Sequence, residues 1–435
     1  MHAMTSHAIR QVRITPIAFR DPPLLNSAGI HEPWALRAIL EVETASGYVG
    51  INETYGDWPM LEALKSAQGA VIGLSPWDLH AMQHRMETQF AATQNAPAGS
   101  EFLTEVVSLA PGSHASKTVA KLVSAFEVAM LDLQGQLANA PLVDLLGGAC
   151  RDAVPFSAYL FFKFADHIDA TQDADSWGEC ISPDQMVKQA QRMIDDHGFK
   201  SIKLKAGVFE PDRELEVLQA LAKHFPQSPL RIDPNANWSL PTAMRMAEHL
   251  QGVLEYLEDP VPGLDGMSEL AHRFDIPLAT NMVVTNDAEW AENVRRSCPV
   301  RIVLSDHHYW GGLRSTLELG RMCQMFGLGL SMHSNSHLGV SLMAMTHLAA
   351  ACPHLAYACD THYPWQDDEV IQGGRLRFEA GSLKLPQAPG LGVVIDPNAL
   401  QRLHENYLHC GIRQRNDLAQ MRKYQPDFSG KQPRF

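Results

Sequence analysis

Two carboxylates and a carboxamide, Asp233, Glu258 and Asn281, each close a short β-rich run: LRID, YLE and LATN. They offer hard oxygen donors without thiolate or imidazole, a set suited to an octahedral Mg²⁺ that keeps positions open for water and a substrate carboxylate. Zinc, which favours Cys and His, fits the trio less well. Asp259 is a rival for Glu258, and an ordinary solvated Glu-Asp pair is the bland alternative. A divalent cation here could neutralise the charge that develops when the α-proton of a carboxylate substrate leaves.

Proton transfer needs bases, and two kinds are available. Lys203 and Lys205 alternate in SIKLKA, and residues two apart on a strand point the same way, so both ammonium groups should enter one space. Each cation is expected to depress the other's pKa toward neutrality, making one lysine usable as a base. A solvated KLK run is the plainer reading. His333 and Asp306 follow two later β-rich runs, and the carboxylate could orient the imidazole as a dyad. His307, His308 and His337 are rival partners in a chain with 20 histidines. A metal flanked by a Lys base and a His base suits proton abstraction beside a carboxylate.

These residues are useful only if a fold gathers them. From residue 154 onward, eight short β-rich runs (VPFSAYLFF, SIKLKA, PLRIDPN, LEYLEDP, IPLATN, VRIVLSD, GLGLSMHS and AYACDTH) alternate with segments long enough for one helix each. That pattern predicts βα units closing into an eight-stranded parallel barrel. Ionisable and amide residues stand where the runs finish: Lys203 and Lys205, Asp233 and Asn235, Glu258, Asn281, Asp306, His333, then Asp360 and His362. The C-terminal ends of barrel strands ring one mouth, so these residues should meet there. A single Asp or Asn in such a place is as readily a helix N-cap. The first 150 residues differ in texture. RQVRITPIAF and ALRAILEVETASGYVGINET suggest a small antiparallel sheet, and residues 115–140 carry apolar positions three and four apart, as in a helix. They read as an α+β cap.

Bulk properties narrow the partners. A length of 435 residues and 45% hydrophobic content support one large core plus an accessory domain. With 35 Lys+Arg against 49 Asp+Glu the formal charge is -14, so no basic field exists for nucleic acid or an anionic membrane. Seven scattered cysteines, at 150, 180, 298, 323, 352, 359 and 410, form no CxxC pair, which suits a reducing, cytoplasmic setting. The N-terminus lacks the apolar core of a signal peptide, and no apolar run is long enough to span a bilayer.

Residues from about 30 to 430 resemble the enolase superfamily, specifically its glucarate dehydratase subgroup. The resemblance is carried by the Lys203-Leu204-Lys205 motif, the Asp233, Glu258 and Asn281 trio, and the His333 and Asp306 pair. Further stretches add to it: IHEPW, EVAMLDLQGQ, YLFF, DPNANWS, EDP, ATNM, SMHSNSHLGVSLMAMTHLAAACP, DTHYPWQ and PGLGVVID. It implies a (β/α)7β TIM-like barrel at 151–375, capped by an α+β domain from 1–150 that the C-terminal segment 376–435 completes.

The same resemblance implies Mg²⁺ as cofactor, with Lys205 and His333 on opposite faces of the substrate. One would abstract the α-proton while His333, protonated, assists departure of the β-hydroxyl, giving a 2-keto-3-deoxy sugar acid. Substrate contacts carried over are His31, Tyr159, Lys203, Asn235, Asn335, His362 and Arg415, the last suited to gripping a distal carboxylate. A small acid sugar as partner and a homo-oligomeric state are likewise implied. Two regions depart from the subgroup: KFADHIDATQDADSWGECISP after the first barrel strand is shorter than expected, and the cap loop INETYGDWP differs. The resemblance assigns substrate choice to these regions, so an aldonate such as L-lyxonate stands beside a glucarate-type aldarate. An epimerase or racemase using the same two bases, and a non-catalytic acid-sugar binder, are the readings from other classes.

Overall fold

The computed structural model describes residues 7–91, 117–169 and 175–435. Strand β1 (Ile9–Arg20) leads into a small hairpin, β2 (Leu25–Asn26) and β3 (Gly29–Ile30). Asn26 Oδ1 accepts the N–H groups of Ala28 and Gly29 at 2.9 and 3.0 Å and so shapes the turn. Gly29 has φ +153°, and a Cβ there would stand 2.4 Å from the Asp417 carbonyl oxygen, so the close approach of the C-terminal segment needs glycine. Strands β4 (Trp34–Thr44) and β5 (Val49–Tyr55) complete the expected antiparallel sheet, ordered β1-β4-β5. Helices α1 (Trp58–Val71) and α2 (Leu79–Gln89) follow. The predicted helix at 115–140 appears as α3 (Thr118–Ala138); residues 115 and 116 lie outside the described residues. Every residue from Leu122 to Gly135 in α3 is buried, because the helix lies between the sheet and the barrel.

A short α4 (Leu142–Leu145) and β6 (Ala153–Pro155) lead to the barrel. Seven parallel strands then pair in sequence order: β7 (Ala158–Phe161), β8 (Ile202–Lys205), β9 (Leu230–Asp233), β10 (Tyr256–Glu258), β11 (Leu278–Thr280), β12 (Ile302–Ser305) and β13 (Gly329–Met332). Between them run α5 (Pro183–His197), α6 (Pro211–His224), α7 (Leu240–Leu250), α8 (Gly263–Arg273), α9 (Asp287–Arg295) and α10 (Leu313–Met325), with α11 (Gly339–Ala351) after β13. Their starts follow capping chemistry: Ser182, Ser239 and Asn286 each accept a backbone N–H with their side chains. Helix α11 is apolar and buried on every side, as expected of a helix packed against both barrel and cap.

One strand differs from expectation. AYACDTH, the eighth run, forms no regular strand: Cys359 makes an isolated bridge with Phe156, and Leu355, just before the run, makes another with Leu330. The run still closes the ring. Ala356 and Asp360 donate to the carbonyls of Leu330 and Met332 at 3.1 and 2.9 Å, and Ser157 donates to Cys359 at 2.9 Å. Alternating ties to β13 on one side and the start of β7 on the other leave no continuous ladder with either, but they join both edges of the sheet.

Beyond the barrel, β14 (Ser382–Lys384) pairs antiparallel with β6 at the barrel's base. Helix α12 (Pro397–His409) packs on β1, and α13 (Asp417–Tyr424) packs on β3. Among the described residues, no helix is long and apolar enough to cross a membrane.

Candidate active site

The KLK alternation behaves as strand geometry requires, sending both lysines into the mouth of the barrel. Lys203 is 0% exposed and Lys205 7%. Lys203 Nζ lies 2.5 Å from Asp360 Oδ2, 2.6 Å from Glu258 Oε2 and 3.8 Å from Asp233 Oδ2, above the Tyr159 ring. Lys205 Nζ lies 2.7 Å from Asp233 Oδ2. The expected mutual depression of the two lysines does not hold for Lys203. Burial alone would lower its pKa, but Asp360 and Glu258 outweigh it and hold the ammonium well above its ordinary value. Lys203 is held as a cation, and Lys205 is the less enclosed of the two.

Asp233, Glu258 and Asp259 bring ligand oxygens within 4.8 Å of one another. Their bonding separates ligand from support. Asp259, held at φ +37°, accepts the Thr280 hydroxyl on one oxygen and the Asn281 N–H on the other at 2.9 Å. It thereby sets Asn281 and ties β10 to β11. Oε2 of Glu258 meets the Lys203 ammonium, but its Oε1 and the amide oxygens of Asn281 and Asn235 are buried without a hydrogen-bond donor. Such acceptors are costly unless something cationic faces them. Burial together with Asp233 pushes Glu258 well above the usual carboxylate range, and Asp259 to about 7. Burial would raise Asp233 too, yet Lys205 and Lys203 hold it below its ordinary value. A hard divalent cation would satisfy the bare oxygens and relieve the repulsion, so the residues present fit one, with Asp233, Glu258 and Asn281 as its ligands.

On the other side of the mouth, His333 Nδ1 lies 3.7 Å from Asp306 Oδ2, a charge contact beyond hydrogen-bond length. The tight partner of Asp306 is the rival His308, whose Nδ1 lies 2.7 Å from Oδ1. Arg37 Nη2 sits 2.9 Å from His308 Nε2. A guanidinium only donates, so Nε2 accepts, and the proton on Nδ1 points at Asp306. Tyr55, at the end of cap strand β5, donates to Asp306 Oδ2 at 3.2 Å and accepts from Asn335 Nδ2 at 3.1 Å. The dyad is therefore a looser pair inside a cap-to-barrel network. Asp306, His307 and His308 cluster closely enough to suggest a second metal site; hydrogen bonds occupy Asp306 and His308, while His307 Nε2 is buried without a partner. Burial lowers the pKa of His333, His307 and His362.

The remaining expected contacts divide. Tyr159 donates to Asp233 Oδ2 at 3.4 Å, and its ring packs on His362, whose ring stacks with His31. Asn235, at φ +49°, donates its backbone N–H to Asp233 Oδ1 at 3.0 Å. His31 is held through Nδ1 by Asp21 Oδ2 at 3.0 Å. Arg415 behaves otherwise. Nε and Nη2 both bond Asp417 at 2.7 Å, so the fork expected to grip a distal carboxylate is closed on a neighbour in its own segment. Asp21 and Tyr55 are the residues that sequence reasoning missed; His308, weighed only as a rival, is the close partner of Asp306, and Asp360, noted only as a strand-end residue, is the counter-ion of Lys203.

Comparison with known proteins agrees with this geometry. The Enolase C-terminal domain-like family matches residues 185–399. A probable glucarate dehydratase from Streptomyces coelicolor is 45% identical over 423 residues, covering 97% of each chain. The D-xylonate dehydratase of Haloferax volcanii is 24% identical over 85% of each chain. A solved enolase from Pseudomonas fluorescens with bound magnesium, potassium and tartrate superposes with a TM-score of 0.94 at 57% identity, covering 99% of this chain and 100% of that one. An enolase from Thermobispora bispora complexed with magnesium and formate gives 0.92 at 49% identity over 99% and 100%. The likeness runs through cap and barrel alike, and on it the chain belongs to the enolase superfamily, as a dehydratase of the glucarate dehydratase subgroup.

Proposed function

We propose that the protein is a Mg²⁺-dependent acid sugar dehydratase that converts a glucarate-type aldarate, or a related aldonate such as L-lyxonate, to a 2-keto-3-deoxy sugar acid. The observation that carries this reading is the set of bare oxygens, Glu258 Oε1, Asn281 Oδ1 and Asn235 Oδ1, on strand ends that lie between those of Lys205 and His333 in the sheet order. Bound at Asp233, Glu258 and Asn281, Mg²⁺ supplies Lewis-acid stabilisation for charge developing on the substrate carboxylate. Lys203, a permanent cation beside it, adds to that stabilisation. Lys205 and His333 approach from different arcs of the barrel, so the configuration at the α-carbon decides which takes the α-proton. Where His333 takes the α-proton it returns it to the departing β-hydroxyl; where Lys205 takes it, His333 enters the cycle already protonated and is recharged from solvent. Either way the hydroxyl leaves as water and the resulting enol tautomerises to the ketone.

The relatives frame the substrate. The Streptomyces protein is named for glucarate, two solved relatives hold tartrate, a hydroxy diacid, and more distant ones are named for the aldonates xylonate and arabinonate. All seven cysteines are free thiols, which supports a cytoplasmic setting. The test is a screen of purified protein with Mg²⁺ against every stereoisomer of the aldarates and aldonates, with keto product read as its semicarbazone. Turnover of a six-carbon diacid supports the aldarate, and turnover confined to aldonates assigns specificity to the shortened loop. Solvent deuterium incorporation without keto product would instead make the protein an epimerase.

A further inference from the structure

Lys163 begins the loop between β7 and α5, and its side chain is fully buried away from the catalytic lysines. Its Nζ is ringed by the carbonyls of Phe164 at 2.8 Å, Ala165 at 3.0 Å and Gly178 at 2.9 Å, and by Asp175 Oδ2 at 2.8 Å. Three carbonyl dipoles and one carboxylate around a compact charge are the surroundings that a dehydrated monovalent cation finds in a carbonyl-lined site. The ligands come from both ends of the loop, which also meet in paired hydrogen bonds of 2.9 Å between Lys163 and Cys180.

The described residues of this loop reach the backs of two expected substrate contacts. The His167 ring bonds the Asp21 carbonyl through Nε2 at 2.8 Å, and the Asp21 carboxylate holds His31. Trp177 packs on Trp365 with ring centroids 4.5 Å apart, and the Trp365 indole donates to the Tyr159 carbonyl at 3.0 Å. Arg192 covers the Trp177 ring at 3.9 Å. We propose that the Lys163 ammonium is a built-in monovalent cation that gathers the two ends of this loop, making Lys163 a positioning residue that sets His31 and Tyr159 and thereby substrate affinity. This rests on the acid sugar reading above for its substrate, though not for the cage itself.

The test uses the full chain with Mg²⁺ and Lys163→Ala, which empties the cage without filling it. The expected result is a rise in KM of about tenfold or more with kcat within about threefold of wild type, the signature of lost uniform binding. Potassium or ammonium chloride should recover most of the KM change, and lithium chloride should not. A second measurement is independent of turnover. An Asp-directed endoprotease has sites at Asp166, Asp169, Asp173 and Asp175 in the loop sequence; it should cut the variant there faster than wild type, and potassium or ammonium should slow that cleavage. If the wild type turns over no acid sugar, the function proposed above fails while the proteolysis still judges the cage. Should Lys163→Ala not fold, Asp175→Asn decides: it should raise KM at unchanged kcat and speed cleavage at Asp166, Asp169 and Asp173, the sites it retains. Unchanged KM, or KM and cleavage both indifferent to potassium and ammonium, overturns the proposal.

Discussion

Asp360 Oδ2 lies 2.5 Å from Lys203 Nζ, joining the segment that closes the barrel to its second strand inside the ring. Both groups are 0% exposed. Glu258 also touches the ammonium, yet the aspartate is the partner that ties the irregular eighth segment to the catalytic strand. Removing one member of a buried pair leaves the other charge undercompensated. Asp360→Asn is expected to destabilise the fold by on the order of 3 kcal/mol, read by denaturant unfolding. A loss below about 1 kcal/mol would mean that Glu258 alone suffices as counter-ion.

Lys205 and His333 do not pack the apolar layers of the barrel. Lys205→Ala and His333→Ala should each lower kcat by about a hundredfold to ten-thousandfold while far-UV circular dichroism stays that of wild type. Wild-type turnover in either variant would remove that residue from proton transfer.

The bare Oε1 of Glu258 beside the Asn281 amide oxygen predicts a response that needs no substrate. Mg²⁺ at about 100 times its Kd should stabilise the wild type by about 2.7 kcal/mol. Glu258→Gln, which lacks one negative ligand, should show much less stabilisation at the same Mg²⁺ concentration, with weaker binding by titration calorimetry. An equal response in both proteins would place the metal elsewhere.

His347, in α11, offers a pH test away from the mouth. Its Nδ1 accepts the Val143 N–H at 3.2 Å and its Nε2 donates to the Leu391 carbonyl at 3.1 Å, so the ring is held neutral. Burial lowers its pKa from 6.5 to about 4. The unfolded ring takes its proton near 6.5 and the folded ring only near 4, so its contribution to stability is intact above 6.5 and is lost as pH falls through that window. The loss should be on the order of 3 kcal/mol. In His347→Gln, whose amide can keep the bond to Leu391, the slope of stability against pH should flatten between those limits. An unchanged slope would assign the acid sensitivity to other groups.

Much of the site was legible because strand geometry is local. Lys203 and Lys205 share a face for the reason any i and i+2 pair on a strand does, and Asp233, Glu258 and Asn281 follow three successive strands of one parallel sheet. Seven of the eight expected strands form for the same reason. The eighth was misread because AYACDTH has strand composition, while its pairing depends on two edges brought together only by barrel closure.

Residue types and their spacing thus determined the barrel and singled out the hard-donor trio and the two groups proposed for proton transfer, since these depend on periodicity and on chemistry carried by single side chains. Tertiary structure alone decided the pairings. It made Asp360, 157 residues from Lys203, that lysine's counter-ion, and so raised a pKa that the paired lysines were expected to depress. It also gave Asp306 to His308 and Tyr55 more tightly than to His333, and closed Arg415 on Asp417. The physical reason is that a charge's pKa and orientation follow the few ångströms around it, and in a closed barrel those neighbours come from strands and cap loops far away in the chain.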